Sequence, residues 1–224
     1  QVLRGGITDS EGRFTLFYIT EILRNPLYRD GLWNSLLIAC CTTLLSLLFA
    51  LFGHVEAVVT DMVKPYETRP VSGGGRRAVE NHDIASVLLR LEGGISAALM
   101  ANRSAWGRKG RIAVQIFGSN GSILFDQERM NELQLYQASG RPEEQGFRTI
   151  LAAPHHRPYD RFIPAPGHGL GFNDLKVIEC RELIAAIGGD KAHVIGFEDG
   201  LRIERSVHAM ARSFAEKRWV NVEA

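Results

Sequence analysis

The sequence predicts an α+β protein: an open antiparallel β-sheet with helices packed on one face, preceded by a long apolar N-terminal helix. Three observations carry this expectation. Short strand-like runs are joined by glycine turns too tight for parallel crossovers. Two stretches near the C-terminus repeat their apolar residues at the helical period. The run WNSLLIACCTTLLSLLFALF, Trp33 to Phe52, contains no charged residue and is long enough, as a helix, to cross a bilayer core.

Taken in order, Phe14 to Leu23 suits an amphipathic helix that Asn25-Pro26 interrupts, because a residue before proline avoids the α region. The apolar run follows. A buried helix of a soluble core is the alternative to a membrane helix. After Gly53 the period changes: Val55, Ala57 and Val59 alternate with Glu56, Val58 and Thr60, as in a strand. Ser72-Gly73-Gly74-Gly75, flanked by Arg69, Arg76 and Arg77, reads as a solvated loop. Ile84–Leu91 and Ile95–Ala101 are strands about a Glu92-Gly93-Gly94 turn. Arg111–Phe117 and Ser122–Phe125 flank Gly118-Ser119-Asn120-Gly121, a turn built for positive φ. Asn131–Tyr136 alternates cleanly, and Phe147–Leu151 is a short strand. The stretch from Gly140 to Gly171 is proline-rich loop. Leu175, Ile178, Leu183 and Ile187 mark one helix, stopped by Gly188-Gly189. Leu201, Ile203, Val207, Met210 and Phe214 mark a second, whose start Glu198 and Asp199 favour through the helix dipole. Trp219–Val222 closes the chain as a strand. The expected division is a 1–52 arm with its apolar helix and a 53–224 domain.

The chain has 224 residues, with 26 basic against 25 acidic. A nucleic-acid binder should show a basic stripe instead of this balance. The three cysteines, Cys40, Cys41 and Cys180, have neither disulfide nor zinc spacing. The expected compartment of the domain is therefore the cytoplasm, with membrane association if the apolar helix inserts. His155, His156 and Asp160 match no metal motif.

Several segments together carry a family resemblance. They are LFGHVEAVV (51–59), DIASVLLRLEGGISAAL (83–99), RIAVQIFGSNGSILFDQERMNELQLY (111–136), GFRTIL (146–151), PAPGHGLGFNDLKVIECRELIAAI (164–187) and FEDGLRIERSVHAMARSFAEKRWVNV (197–222). In composition and order they resemble the C-terminal domain of the glucose–fructose oxidoreductase / inositol dehydrogenase (Gfo/Idh/MocA) family. The resemblance implies the substrate side of an NAD- or NADP-dependent sugar or polyol oxidoreductase, and a homo-oligomer formed through the sheet. The family's dinucleotide-binding turn, G-x-G-x-x-G before a helix, occurs nowhere in the 224 residues. Its Glu-Lys-Pro lysine is also missing. Its catalytic Asp and His precede the LFG-like turn; an ungapped count back from Gly53 reaches Thr43 and Ala39, which transfer no proton at neutral pH. No catalytic, cofactor-binding or metal-binding residue is therefore assigned. FTLFYITEILRNPLYRDGLWNSLLIACCTTLLSLLFAL, before Gly53, resembles a fragment of an inner-membrane permease of an ABC transporter.

The resemblance points the Pro166-Gly167-His168-Gly169 loop toward the substrate. His168 is the leading binding candidate, because its ring titrates near neutrality; bonding a loop carbonyl is the alternative. Asn173 and Asp174 divide between substrate contact and N-capping. Tyr159 divides between a sugar hydroxyl and capping the core, and Trp106 between lining the pocket and an oligomer contact. Two functional readings follow. One is a substrate and oligomerisation domain, inactive alone, with NAD or NADP implied only for the intact family. The other is a membrane-anchored sugar-binding or interaction module.

Overall fold

The computed structural model describes residues 45, 47–48, 50–71, 74–190 and 194–223. It divides into two compact units: the residues up to Ala105 together with those from Phe197 onward, and Trp106–Gly196.

In the first unit, β1 (Val55–Val63) lies between β4 (Ile84–Leu91) and β10 (Val220–Asn221), with β5 (Ile95–Asn102) beyond β4. Every pairing is antiparallel. The β4–β5 turn is the expected one: Gly93 and Gly94 both take positive φ, 76° and 79°, which glycine adopts without steric cost.

β1 departs from simple alternation. Val55 pairs with Leu91, but Ala57 already pairs with Arg90, so Glu56 is an extra residue, a bulge. Val58 and Thr60, opposite Leu89 and Val87, therefore join Val55 against the core. Val59, expected to share the face of Val55, instead sits opposite Leu88 on the open face.

The helix Phe197–Glu216 (α2 here; α1 lies in the second unit) covers one face of this sheet. Its buried residues are Ile203, Ser206, Ala209, Met210 and Ser213. Small side chains on that stripe let the helix axis approach the strands closely, and Leu201, expected on the stripe, is half exposed. The core contains Val58, Leu89, Leu91, Leu99, Ile203, Met210 and Val220. Leu45 belongs to it as well, fully buried, with Leu48 and Phe52 packed against it. The last part of the apolar run thus contributes to the core of this unit. The rest of the run, and the whole arm before it, lie outside the described residues. Among the described residues no helix is long and apolar enough to cross a membrane.

Arg69, Arg76 and Arg77, expected to flank a solvated loop, lie on a small hairpin of β2 (Thr68–Pro70) and β3 (Arg76–Ala78). Arg69 ties it down through an ion pair to Asp83 at 2.8 Å, and Arg103 reaches the other oxygen of Asp83 at 3.3 Å. Asp83 is 1% exposed. A carboxylate so buried needs such partners, since an unpaired buried charge is very costly.

In the second unit, β6 (Ala113–Gly118), β7 (Gly121–Asp126), β8 (Glu132–Gln137) and β9 (Arg148–Leu151) form a separate antiparallel meander. The expectation of one open sheet thus becomes two four-stranded sheets. β6 begins its own ladder after the irregular 103–112 segment and pairs with β7 alone. The register places Val114, Ile116, Ile123, Phe125, Leu133, Leu135 and Ile150 on one face, with Gln115, Gln134 and Thr149 on the other beside Phe117, Leu124 and Tyr136. Gly121 is required where β7 starts: an added Cβ would lie 2.4 Å from the Tyr136 carbonyl oxygen. The helix α1 (Phe172–Ile187) ends as expected, Gly188 donating to the Ile184 carbonyl and Gly189 taking φ 87°. None of its residues is buried, so the apolar stripe expected to pack on the sheet does not do so; Leu183 and Ile187 are exposed.

Candidate functional site

The site is a loop of the second unit, running from the end of β9 to the start of α1. Its first half folds on itself. The His156 N–H donates to the Ala153 carbonyl, and the His156 Nδ1 accepts from the Ala153 N–H at 3.2 Å. The Tyr159 N–H donates to the His156 carbonyl, and the Tyr159 carbonyl accepts from Phe162 and Ile163. Ala153, Ile163 and Leu170 are buried and anchor the loop; the side chains between them are exposed or half-buried.

His168 lies in the second half, after Gly167 at φ 89°. Its N–H donates to the Ala165 carbonyl, and its Nδ1 lies 3.1 Å from the same oxygen. A carbonyl oxygen only accepts, so the neutral ring carries its proton on Nδ1. Nε2 then keeps a lone pair on an exposed ring, able to accept from a hydroxyl or to take a proton. The loop-bonding expectation for His168 is thus met by Nδ1, while Nε2 remains the atom a ligand would meet.

Beyond His168 the chain is fixed by Asn131, at the start of β8. The Leu170 N–H donates to Asn131 Oδ1 at 2.7 Å, and Asn131 Nδ2 donates to the Leu170 carbonyl at 3.0 Å. Sequence reasoning missed Asn131. The pairing spans 39 residues, and no local pattern marks an asparagine as the partner of a distant backbone. Its only sequence signal is its place at a turn, where asparagine is common for other reasons.

Asp174 is engaged as a cap: the Gly171 N–H donates to its Oδ2 at 2.7 Å, and the Asp174 N–H donates back to the Gly171 carbonyl. Asn173 beside it is exposed. Tyr159 is half-buried in the short turn Tyr159–Arg161. Trp106 stands apart at the start of the unit, 91% exposed, in the segment before β6. His168, Asn173 and Asp174 therefore share one loop-to-helix junction, with Tyr159 on the same loop; Trp106 belongs to another segment. The rings of His155 and His156 lie 4.3 Å apart, but among the described residues no group of three side chains is placed to hold a metal ion.

Electrostatics mark a second cluster, at the end of β7. Asp126 is held below the ordinary carboxylate range chiefly by the Arg111 guanidinium, 2.7 Å away, with help from the Glu128 N–H and against some desolvation. Glu128 is lowered mainly by the Lys109 N–H and also by Arg108. These pairs brace Arg108–Arg111 against the end of β7 and the turn that follows it.

The N-termini of α1 and α2 are poorly suited to a dinucleotide. A pyrophosphate needs free N–H groups at a positive helix N-terminus. At α1 the Gly171 N–H is taken by Asp174, whose carboxylate stands where a phosphate would. At α2 the first turn carries Glu198 and Asp199.

Residues 30–222 match the oxidoreductase family, C-terminal alpha/beta domain. A levoglucosan dehydrogenase of Pseudarthrobacter phenanthrenivorans is 30% identical over 184 residues, covering 76% of this chain and 46% of that protein. The crystal structure of an NAD binding oxidoreductase from Klebsiella pneumoniae superposes with a TM-score of 0.76 at 33% identity, over 82% of this chain and 50% of that one. A levoglucosan dehydrogenase in complex with NADH and levoglucosan gives a TM-score of 0.75 at 30% identity, over 82% and 49%. The chain spans about half the length of the relatives it matches. The family match begins at residue 30, so it takes in the run from Trp33 to Phe52; the permease resemblance of that run gains no support.

Proposed function

The chain belongs to the oxidoreductase family whose C-terminal alpha/beta domain it matches, and from that premise we propose that it is the substrate-side and oligomerisation half of an NAD(P)-dependent sugar or polyol oxidoreductase. The observation that carries the reading is the match over residues 30–222, joined to 30% identity with a levoglucosan dehydrogenase. Structures of a levoglucosan dehydrogenase hold NADH with levoglucosan or with L-sorbose, which favours a cyclic, hydroxyl-rich substrate here. The loop geometry agrees with such a ligand. His168 presents an exposed Nε2 lone pair that accepts from a sugar hydroxyl, and its Nδ1 is held by the Ala165 carbonyl, so the ring is oriented before the ligand arrives. Tyr159 and Asn173 offer further hydroxyl and amide partners on the same loop.

In this reading the nicotinamide dinucleotide, which supplies hydride transfer when bound, is held outside residues 45–223. The acidic first turns of α1 and α2 support that division. These 224 residues by themselves are then expected to bind sugar without turning it over. Isothermal titration with levoglucosan tests the first half of the statement, with saturable binding expected and His168→Ala expected to weaken it at least tenfold. Nicotinamide reduction assayed with levoglucosan and NAD or NADP tests the second half. Turnover by the purified chain would overturn the claim that chemistry needs a further domain. Absence of any sugar binding at millimolar ligand would overturn the substrate reading.

A further inference from the structure

We propose that Asn131 is a positioning residue, a clasp that closes the 152–170 loop at both ends and thereby sets the pose of His168. The proposal rests on reading this loop as the sugar site. At the loop's entrance, the Ala152 N–H donates to the Asn131 backbone carbonyl at 2.8 Å. At its exit, the Asn131 side chain takes both backbone groups of Leu170, accepting at 2.7 Å and donating at 3.0 Å. One residue therefore holds both ends of a long irregular segment. An amide is the side chain suited to the exit bonds, because it offers one acceptor and one donor in a plane, as a strand neighbour would. Leu170 is 7% exposed, so its backbone groups would be costly to leave unpaired.

The fit is tight on the side toward His168. A Cβ on Gly169 would lie 2.9 Å from Asn131 Nδ2 and 3.1 Å from its Cγ. Glycine at 169 leaves the amide room to reach Leu170, where a Cβ would press on it, and His168 is the next residue along. The turn that orients the imidazole, through the two contacts to Ala165, is thus fixed on one side by its own hydrogen bonds and on the other by the clasp. Loosening Leu170 frees the turn without touching the sheet, since β8 keeps its own ladders to β7 and β9.

The experiment uses the full chain with Asn131→Ala, Asn131→Asp, Gly169→Ala and the Asn131→Ala/Gly169→Ala double variant. Amide hydrogen exchange and the His168 ring resonances are read first, without sugar. In Asn131→Ala the Leu170 amide is expected to exchange at least tenfold faster and the His168 resonances to move, with strand amides of β7 and β8 unchanged. Asn131→Asp should restore the clasp only when its carboxyl is protonated, near pH 4 and below, because an ionised carboxylate cannot donate to the Leu170 carbonyl. Gly169→Ala should loosen Leu170 alone, but add little in the Asn131→Ala background, where the clash is already gone. Unchanged Leu170 exchange in Asn131→Ala, equal acceleration across the strands, or additivity in the double variant would each overturn the clasp. Levoglucosan titration then separates the clasp from the substrate reading. A wild-type chain that binds the sugar, with Asn131→Ala at least fivefold weaker, supports both. Equal affinity in the two overturns the positioning role. No binding by the wild type overturns the substrate reading, while the His168 resonances still decide the clasp.

Discussion

Ser213 shows how one hydroxyl replaces a strand. β10 pairs with β1 only at Ala57 and Val58, and the next N–H pointing that way, on Thr60, needs another acceptor. Ser213 Oγ, fully buried on α2, accepts from the Thr60 N–H at 3.0 Å and donates to the Arg218 carbonyl at 2.7 Å. Ser213→Ala strands a donor and an acceptor together, and should cost about 2 kcal/mol in urea unfolding. A loss below about 0.5 kcal/mol would mean that the bridge is dispensable. Charge at the residue scale predicts a pH dependence. The Asp126 carboxyl titrates below 3.8 in the folded chain because of Arg111. A carboxylate with a depressed folded value stabilises the fold above its unfolded value, and that contribution is lost as pH falls through the folded one. Arg111→Gln should therefore be less stable than the parent at pH 6, by under about 1 kcal/mol for so exposed a pair. The two should converge as the pH drops below 3.8. A gap that stays constant to pH 2 would assign the effect to Arg111 packing instead.

At the scale of elements, strand and helix existence was legible in the sequence because glycine turns and apolar periods are local signals. Every strand expected from Ile84 to Leu151 is present within a few residues, and both helices stop or start where glycine and acidic residues placed them. What was not legible is non-local. The bulge at Glu56 turns Val59 outward, and a bulge is a property of the partner strand's register, not of the bulged sequence alone. Arg69 looked like part of a solvated loop because its partner, Asp83, lies 14 residues away. At the site, His168 and Asp174 stood out through their glycine neighbours and helix-start position, whereas Asn131 was invisible for the reason that hid Asp83. The end of α2 carries an element-scale prediction. Lys217 takes φ 53°, the left-handed value that usually falls to glycine, and its ammonium lies 3.8 Å over the Phe214 ring. Left-handed geometry costs a side-chain residue about 1 kcal/mol, and an exposed cation–π contact returns about 0.5–1 kcal/mol. Lys217→Gly should thus be nearly neutral, while Lys217→Ala keeps the strain, loses the contact and destabilises by about 0.5–1 kcal/mol. Thermal melts of the three proteins check the order; Ala as stable as the parent Lys would remove Phe214 from the account, and Ala equal to or better than Gly would remove the backbone strain.

At the scale of the whole molecule, α2 covers one face of the first sheet, and among the described residues of that unit the other face is left open. α2 and the apolar residues around it bury Leu89, Leu99 and their neighbours, but the other face carries Leu88, 51% exposed, and Met100, 66% exposed. Register puts Leu88 opposite both Val59 and Ala98, so these side chains form a connected apolar strip across three strands. A one-sided antiparallel sheet ordinarily alternates apolar-in with polar-out; this strip breaks the rule, and contiguous exposed apolar surface marks an interaction site. The proposed oligomer would use it: two copies placing these faces together remove both strips from water with no change in either fold. Sedimentation equilibrium at micromolar concentration is expected to give a dimer or larger species. Leu88→Glu with Met100→Glu should return the monomer, because like charges would then meet across the interface, while far-UV dichroism stays the same since neither residue supports the core. Single substitutions should weaken association by roughly tenfold or more each, in line with burying one large apolar side chain at about 1.5–3 kcal/mol. A parent chain that is strictly monomeric, or a charged double variant that still dimerises, would remove this face from the assembly.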